Sequence, residues 1–129
     1  MGNNGMPKKI LLIEDDPFLS EIYVIKFKEA GFEISLAQDG SLGLQRIKEE
    51  MPDLVLLDIV MPNVDGLEVL RAMKNDATTR DIPVVILSNL GEQEDIKRGL
   101  QLGAEFYIVK AHYTPTEVVA RVKAVIGEK

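Results

Sequence analysis

The 129-residue chain contains no cysteine and no tryptophan, and its single histidine is His112. Without cysteine there is no disulfide, no iron–sulfur cluster and no thiol nucleophile. A single histidine also excludes zinc sites built on paired histidines. Basic residues are the minority, since 15 Lys and Arg against 21 Asp and Glu give a formal net charge of −6. We therefore expect no direct nucleic-acid binding, and the chemistry must come from carboxylates, hydroxyls, lysines and the backbone.

Long apolar runs are absent as well. The longest stretches fall far short of the roughly 20 residues that cross a bilayer, and the N-terminus lacks the apolar segment of a secretory signal. The apolar share of 46% and charged share of 28% are typical of a folded protein without a membrane association. We expect a cytoplasmic protein in which residues 1–7 are a flexible leader, residues 8–127 form one domain and residues 128–129 are a tail.

Short apolar runs alternate with longer segments of helical spacing. Because the runs are continuous and not alternating, they indicate strands buried on both faces of a parallel sheet. The first helical segment has apolar residues at Phe18, Ile22 and Ile25, which predicts its buried face. Later helical segments have apolar residues at the same spacing, among them Met51 and Leu100, and these are also predicted to be buried. Five strands and five helices in strict alternation predict an α/β, doubly wound three-layer sandwich. The strands are predicted at Ile10–Ile13, Phe32–Ala37, Leu54–Leu57, Val84–Leu87 and Phe106–Val109.

Helix boundaries are marked by residues with specific backbone roles. Gly31 and Gly103 stand where a left-handed helix stop is expected, each just before a strand. Thr114-Pro115-Thr116-Glu117 has the spacing of a capping box. Asp16, directly before Pro17, is typical of a helix N-cap.

Polar residues follow the carboxyl ends of the strands, where open α/β sheets bind ligands. Three carboxylates, a hydroxyl and an ammonium are expected to converge there: Glu14, Asp15, Asp58, Ser88 and Lys110. Two carboxylates about 5 Å apart repel by roughly 3 kcal/mol at an effective dielectric near 20, so a counter-charge is needed. Lys110 and a divalent cation are candidates, and oxygen ligands alone suit Mg²⁺ or Mn²⁺. A carboxylate, a hard cation, an ammonium and a hydroxyl together indicate phosphoryl transfer.

At these residues the sequence resembles the receiver domain of bacterial two-component response regulators. The resemblance is carried by the strings ILLIEDDP, DLVLLDIVMPNVDG, PVVILSN and FYIVK, in that order. It implies a flavodoxin-like (βα)5 fold with strand order 2-1-3-4-5. It also implies a phospho-acceptor signalling domain, not an enzyme with a separate substrate, that catalyses its own phosphotransfer and loses the phosphoryl group slowly.

The resemblance assigns each polar residue a role. Asp58 is implied as the phospho-acceptor, and Asp15 and Asp58 as carboxylate ligands of Mg²⁺. The backbone carbonyl of Val60 is implied as a third ligand, with Glu14 acting through water. Lys110 is implied to contact Asp58 and then the phosphoryl group.

Two further residues are implied to relay the phosphorylated state. Ser88 would hydrogen-bond a phosphoryl oxygen, and the ring of Tyr107 would pack inward on activation. The phosphoryl donor is expected to be a sensor histidine kinase or a histidine phosphotransfer protein. The output surface is expected at roughly residues 92–103, 105–109 and 116–126, facing a downstream protein or a second copy in a homodimer. The domain is expected to act alone or as a piece of a longer regulator.

Three positions depart from the family pattern. Ala111 replaces the usual proline after the lysine, so the loop either keeps a cis bond costing roughly 2.5–4 kcal/mol or has rearranged. We expect the cis bond, because Lys110 must still point at the site. Asn89 stands where a small residue is usual and would either crowd donor access or orient an attacking water. Val60 offers no polar side chain, and its apolar bulk is expected to slow hydrolysis of the acyl phosphate.

Three alternatives remain at this point. A degenerate receiver would be a phosphorylation-independent scaffold, but here Asp58 and Lys110 are both intact. A flavodoxin-like FMN-binding protein shares the fold, yet its phosphate loop should be rich in glycine and hydroxyls, whereas this loop is acidic. A haloacid-dehalogenase-like phosphatase needs a second Asp two residues after the first, where this chain has Val60.

Overall fold

The computed structural model describes residues 7–61 and 64–127. The strands are β1 (Lys9–Ile13), β2 (Glu33–Ala37), β3 (Leu54–Leu57), β4 (Val84–Ser88) and β5 (Phe106–Val109). The helices are α1 (Pro17–Glu29), α2 (Gly40–Glu50), α3 (Gly66–Lys74), α4 (Gln93–Gln101) and α5 (Pro115–Ile126), with a 3₁₀ turn at Lys110–His112 before α5. Most of the expected leader and all of the expected tail lie outside the described residues. In the described part of the chain, no helix is long and apolar enough to cross a membrane.

The five strands form one parallel sheet in the order β2-β1-β3-β4-β5. One hydrophobic core lies between the sheet and helices α2, α3 and α4, and the other lies between the sheet and helices α1 and α5. The fold class and strand order predicted from the sequence are confirmed. Since β1 and β3 are both interior strands, the residues after them lie at the middle of the sheet edge.

The helix boundaries follow the predicted capping residues. The Asp16 carboxylate accepts hydrogen bonds from the backbone N–H groups of Phe18 and Leu19 at 2.9 and 3.1 Å. Thr114 and Glu117 form the predicted capping box. Gly31 and Gly103 have φ angles of +93° and +114°, which a residue with a side chain rarely adopts. These local interactions position both ends of the helices that border the site.

The buried face of α1 differs from the sequence prediction. Tyr23 and Phe27 face the core, and the Phe27 ring meets the Phe32 ring edge to face at a centroid distance of 5.5 Å. Phe18, Ile22 and Ile25 are instead exposed by 78%, 42% and 48%. Both sets have helical spacing, and the prediction was wrong because spacing alone does not show which of the two faces the helix turns toward the sheet. We call the exposed set Phe18, Ile22 and Ile25 the α1 stripe.

Two other predicted core positions are also exposed. Met51 lies just beyond α2 as its C-terminal cap, at φ +47°. Leu100 is exposed on α4, where Gly99 is the one buried residue of a helix that the structure describes completely. Helix α4 is therefore held against the sheet by few side chains of its own.

Candidate functional site

Backbone hydrogen bonds place the acidic residues at the centre of the sheet edge. The N–H of Glu14 donates to the carbonyl of Ala37, and the N–H of Asp58 donates to the carbonyl of Ile13, both at 3.0 Å. These bonds extend the sheet one residue beyond β1 and β3. Carboxylate oxygens of Glu14, Asp15 and Asp58 consequently lie within 4.8 Å of one another. The predicted convergence of three carboxylates is present.

Lys110 reaches this cluster from the end of β5. Its Nζ lies 2.7 Å from Oε1 of Glu14 and 3.3 Å from Oδ2 of Asp58. The ammonium therefore contacts two of the three predicted acids, and the contact with Glu14, which the sequence did not predict, is the shorter.

The expected cis bond after Lys110 is wrong. No cis peptide bond occurs in residues 7–61 or 64–127, and Lys110 instead opens the 3₁₀ turn. Because residue 111 is alanine and not proline, the trans form of the Lys110–Ala111 peptide bond is strongly favoured. The lysine reaches the acids from this turn.

Burial and the charge of Lys110 have opposite effects on the pKa values of the carboxyl groups in the cluster. Glu14 is 1% exposed and Asp58 is also buried, and this desolvation raises the pKa of both carboxyl groups above their usual values. The nearby Lys110 ammonium partly offsets the effect. For Lys110, burial alone would lower the pKa, but the Glu14 contact and the negative charge of Asp58 raise it above its usual value. The lysine is thus held in its charged form beside two carboxylates that burial destabilises.

The donor set fits a hard divalent cation. Oε2 of Glu14 accepts from the backbone N–H of Asp16 at 3.1 Å, whereas its buried Oε1 has no partner of hydrogen-bond geometry among the described residues, despite the close ammonium. Oδ1 of Asp58 accepts a 3.3 Å bond from the N–H of Val60. Three carboxylates with one positive charge between them leave excess negative charge. The cluster could therefore hold a metal ion such as Mg²⁺ or Mn²⁺.

Gly66, at the start of α3, lets that helix approach the backbone that follows β3. A Cβ at Gly66 would lie 2.2 Å from the carbonyl oxygen of Asp58 and 2.6 Å from Cα of Ile59. The N–H of Gly66 donates to the carbonyl of Ile59 at 2.8 Å. Asp65 caps α3. The sequence did not predict that the missing side chain of Gly66 shapes the backbone around Asp58.

The cluster opens into a surface cavity of about 710 Å³. Val60 and Asn89, two of the three positions that depart from the family pattern, both line it. So does Phe18, whose place in the cavity wall the sequence did not predict because the residue was assigned to the core. Among the described residues, the lining is Glu14, Asp15, Asp16, Pro17, Phe18, Leu19, Asp58, Val60, Ser88, Asn89, Leu90 and Lys110.

Ser88 is connected to Tyr107 by two hydrogen bonds through Leu90. The N–H of Leu90 donates to Oγ of Ser88 at 3.2 Å, and the Tyr107 hydroxyl donates to the carbonyl of Leu90 at 2.5 Å. The Tyr107 ring lies inward, 7% exposed, and this burial raises the pKa of its hydroxyl. Leu90 was not predicted as a link, because its contribution comes from backbone atoms.

Comparison with known proteins agrees with this geometry. The sequence profile of the response regulator receiver domain matches residues 10–123. The chain belongs to the response regulator receiver family. It is 41% identical over 121 residues to the phosphate regulon transcriptional regulatory protein PhoB of Klebsiella pneumoniae, covering 94% of this chain and 52% of that protein. It is 38% identical over 119 residues to the DNA-binding response regulator MtrA of Mycolicibacterium smegmatis, covering 92% of this chain and 50% of that protein.

Solved receiver structures share the fold. A response regulator from Chloroflexus aurantiacus superposes with a TM-score of 0.87 at 28% identity, covering 95% of this chain and 99% of that one. The BeF₃-activated receiver domain of Klebsiella pneumoniae RstA gives 0.84 at 29% identity, covering 92% and 97%. The receiver chain therefore spans about half the length of PhoB and MtrA but nearly all of these receiver structures.

Proposed function

We propose that this receiver accepts a phosphoryl group on Asp58 from a phosphohistidine of a sensor kinase or a phosphotransfer protein. The observation that carries the proposal is the position of Asp58, buried at the base of an open cavity, 3.3 Å from the Lys110 ammonium and beside two further acids. A buried carboxylate that can be reached through an open cavity and that lies beside a fixed positive charge is suited to act as a nucleophile toward phosphorus.

The reaction forms one bond and breaks one. A carboxylate oxygen of Asp58 attacks phosphorus, the bond between phosphorus and the donor imidazole nitrogen breaks, and the imidazole keeps the electron pair and takes up a proton. The product is an acyl phosphate. Lys110 stabilises negative charge on the transferring group, and the Ser88 hydroxyl donates a hydrogen bond to a phosphoryl oxygen.

The acidic cluster would hold Mg²⁺, with Mn²⁺ as a substitute. Asp15, Asp58 and the Val60 carbonyl are the proposed protein ligands, and Glu14 contributes through water. Bound there, the cation would supply positive charge for the phosphoryl oxygens. Glu14 meanwhile positions Lys110 through their 2.7 Å contact.

The α1 stripe is the proposed docking surface for the phosphodonor. Phe18 belongs both to the cavity wall and to the stripe, so a protein that brings a phosphohistidine to Asp58 must pass over Phe18. Ile22 and Ile25 continue the apolar surface along α1 from that point. The occupant we propose is an amphipathic helix of the donor that carries the phosphohistidine, because a helix can contact successive turns of α1 while presenting one side chain to the cavity.

We propose that a partner recognises the phosphorylated state at the surface formed by α4, β5 and α5, which we call the output face. The switch residue Tyr107 lies on β5 and its hydroxyl is linked to Ser88 at the cavity. Either a downstream protein or a second copy of the chain would bind there, in the cytoplasm. The names of PhoB and MtrA describe a transcriptional regulator and a DNA-binding regulator. If this receiver belongs to a longer protein, a fused domain of that kind would make the DNA contact.

Labelling with acetyl phosphate tests the acceptor. With Mg²⁺ present, the intact mass of the wild type should rise by one phosphoryl group, and Asp58→Asn should abolish the increase. Asp76→Asn, at a partly exposed aspartate just beyond the C-terminal end of α3, is the matched control and should label normally. Undiminished labelling of Asp58→Asn would move the acceptor elsewhere.

A further inference from the structure

Helix α4 packs against the switch tyrosine through a residue that has no side chain. The α-carbon of Gly99 faces β4 and β5, where Ile86 and Tyr107 are paired neighbours. A Cβ at Gly99 would lie 3.1 and 3.3 Å from Cδ2 and Cε2 of Tyr107, and 2.6 Å from Cδ1 of Ile86. These separations are shorter than ordinary van der Waals contact.

Backbone conformation does not explain this glycine. Among the described residues, the glycines with positive φ are Gly31, Gly103 and Gly127, and Gly99 is not one of them. It stands inside a nine-residue helix, where glycine is a poor helix former compared with alanine. Glycine at this position therefore leaves space for the neighbouring side chains of Ile86 and Tyr107.

The tyrosine ring has little freedom to yield. Its hydroxyl is bonded to the Leu90 carbonyl, and the ring is packed into the core on the α4 side of the sheet. The end of the Ile86 side chain can rotate away, whereas the ring is rigid and moves only as a whole. A methyl group at Gly99 would accordingly displace either the ring or the helix.

We propose that Gly99 is a positioning residue for Tyr107: the absent side chain forms the slot that holds the ring inward. Because the ring is linked through Leu90 to Ser88, Gly99 and the cavity act on the same structural equilibrium. By reciprocity, a change at Gly99 that disfavours the inward ring also weakens any ligand at Asp58 that favours it. This last step depends on the proposed function, whereas the packing step does not.

The packing step is tested by ¹⁹F NMR on protein labelled with 3-fluorotyrosine. The chain has three tyrosines, and Tyr107→Phe assigns the relevant signal. Gly99→Ala should shift the Tyr107 signal, because the added methyl group lies too close to the ring for the ring to keep its position. Lys97→Ala, at an exposed position of α4, should leave it in place. An unmoved Tyr107 signal in Gly99→Ala would overturn the proposal.

A double-mutant cycle separates steric packing from general damage to the fold. In a Tyr107→Ala background the ring is gone, so Gly99→Ala should no longer destabilise and should gain helix propensity. If Gly99→Ala alone does not fold but the double variant does, the proposal is supported. If Gly99→Ala is equally destabilising in both backgrounds, its contact with Ile86 is the cause and the proposal fails.

The coupling step is tested with beryllofluoride and Mg²⁺. Gly99→Ala should weaken beryllofluoride binding by about fivefold or more, the lower range of typical coupling between sites. Equal binding by Gly99→Ala and wild type would refute the coupling. If beryllofluoride does not bind the wild type at all, the proposed function is wrong, and the fluorotyrosine signal still decides the role of Gly99.

Discussion

Replacing Asp58 with asparagine should make the protein more stable. Asparagine has the same shape and keeps an oxygen that can accept the bond from the Val60 N–H. It removes one negative charge from a buried group in which Glu14 and Lys110 remain 2.7 Å apart as a neutral pair. The substitution therefore tests whether the cluster costs stability, separately from its chemistry.

The magnitude follows from the distances. At an effective dielectric near 20, the 3.3 Å contact with Lys110 attracts Asp58 by about 5 kcal/mol, and each acid within 4.8 Å repels it by about 3.5 kcal/mol. Water screens the share of Asp15, which is exposed. Attraction to Lys110 exceeds the repulsion from Glu14 by about 1.5 kcal/mol, and the screened repulsion from Asp15 offsets most of that difference. The desolvation of Asp58 is then the dominant cost, and we expect its removal to give a gain of about 1 kcal/mol, or roughly 4 °C in melting temperature.

The gain should depend on pH. The folded-state pKa of Asp58 is raised above its unfolded value, mainly by burial. Below the unfolded value both states are protonated and the carboxyl group carries no penalty. As pH rises past the unfolded pKa and through the folded one, the wild type loses this stability and Asp58→Asn does not. The difference between the two proteins should be small near pH 3 and larger at pH 7.

Urea denaturation at both pH values measures the effect. Asp76→Asn is the control with the opposite sign, because hydrogen bonds from Thr78 lower the pKa of Asp76, and its loss should not stabilise at pH 7. Addition of Mg²⁺ at ten times its dissociation constant should stabilise the wild type by about 1.4 kcal/mol and Asp58→Asn by less. A loss of more than about 1 kcal/mol in Asp58→Asn would refute the reasoning and make Asp58 a structural hydrogen-bond partner.

Two further changes test other parts of the structure. Met51→Gly should raise the free energy of unfolding by about 1 kcal/mol in urea titration, because Met51 holds a left-handed conformation that glycine adopts freely; a decrease would mean that its side chain packs in a stabilising way. Ile22→Ser should lower the rate of phosphotransfer from a protein donor by about tenfold relative to labelling by acetyl phosphate, since apolar contact area is lost. Leu100→Ser removes a comparably exposed apolar residue far from α1 and should leave that ratio unchanged. Equal ratios for both variants would exclude the α1 stripe as the docking surface.

The sequence predicted the inner strands well because they are continuous apolar runs, such as Leu54–Leu57, which is buried throughout. It predicted the acidic cluster because Glu14 and Asp58 directly follow two such runs. It failed on α1, where two apolar sets share the helix and composition does not say which one meets the sheet. The same limit applies to Gly99, whose role depends on a close approach between elements that are adjacent only in the folded chain.

Beryllofluoride titration followed by NMR tests the central claim most directly. With Mg²⁺ present, the account predicts shifts at the backbone amides of Asp58 and Val60, at Ser88 and Leu90, and at Tyr107. Asp58→Asn should show none of these shifts under the same conditions. A wild-type spectrum that beryllofluoride and Mg²⁺ leave unchanged, or an equal response from Asp58→Asn, would contradict the assignment of Asp58 as the phospho-acceptor.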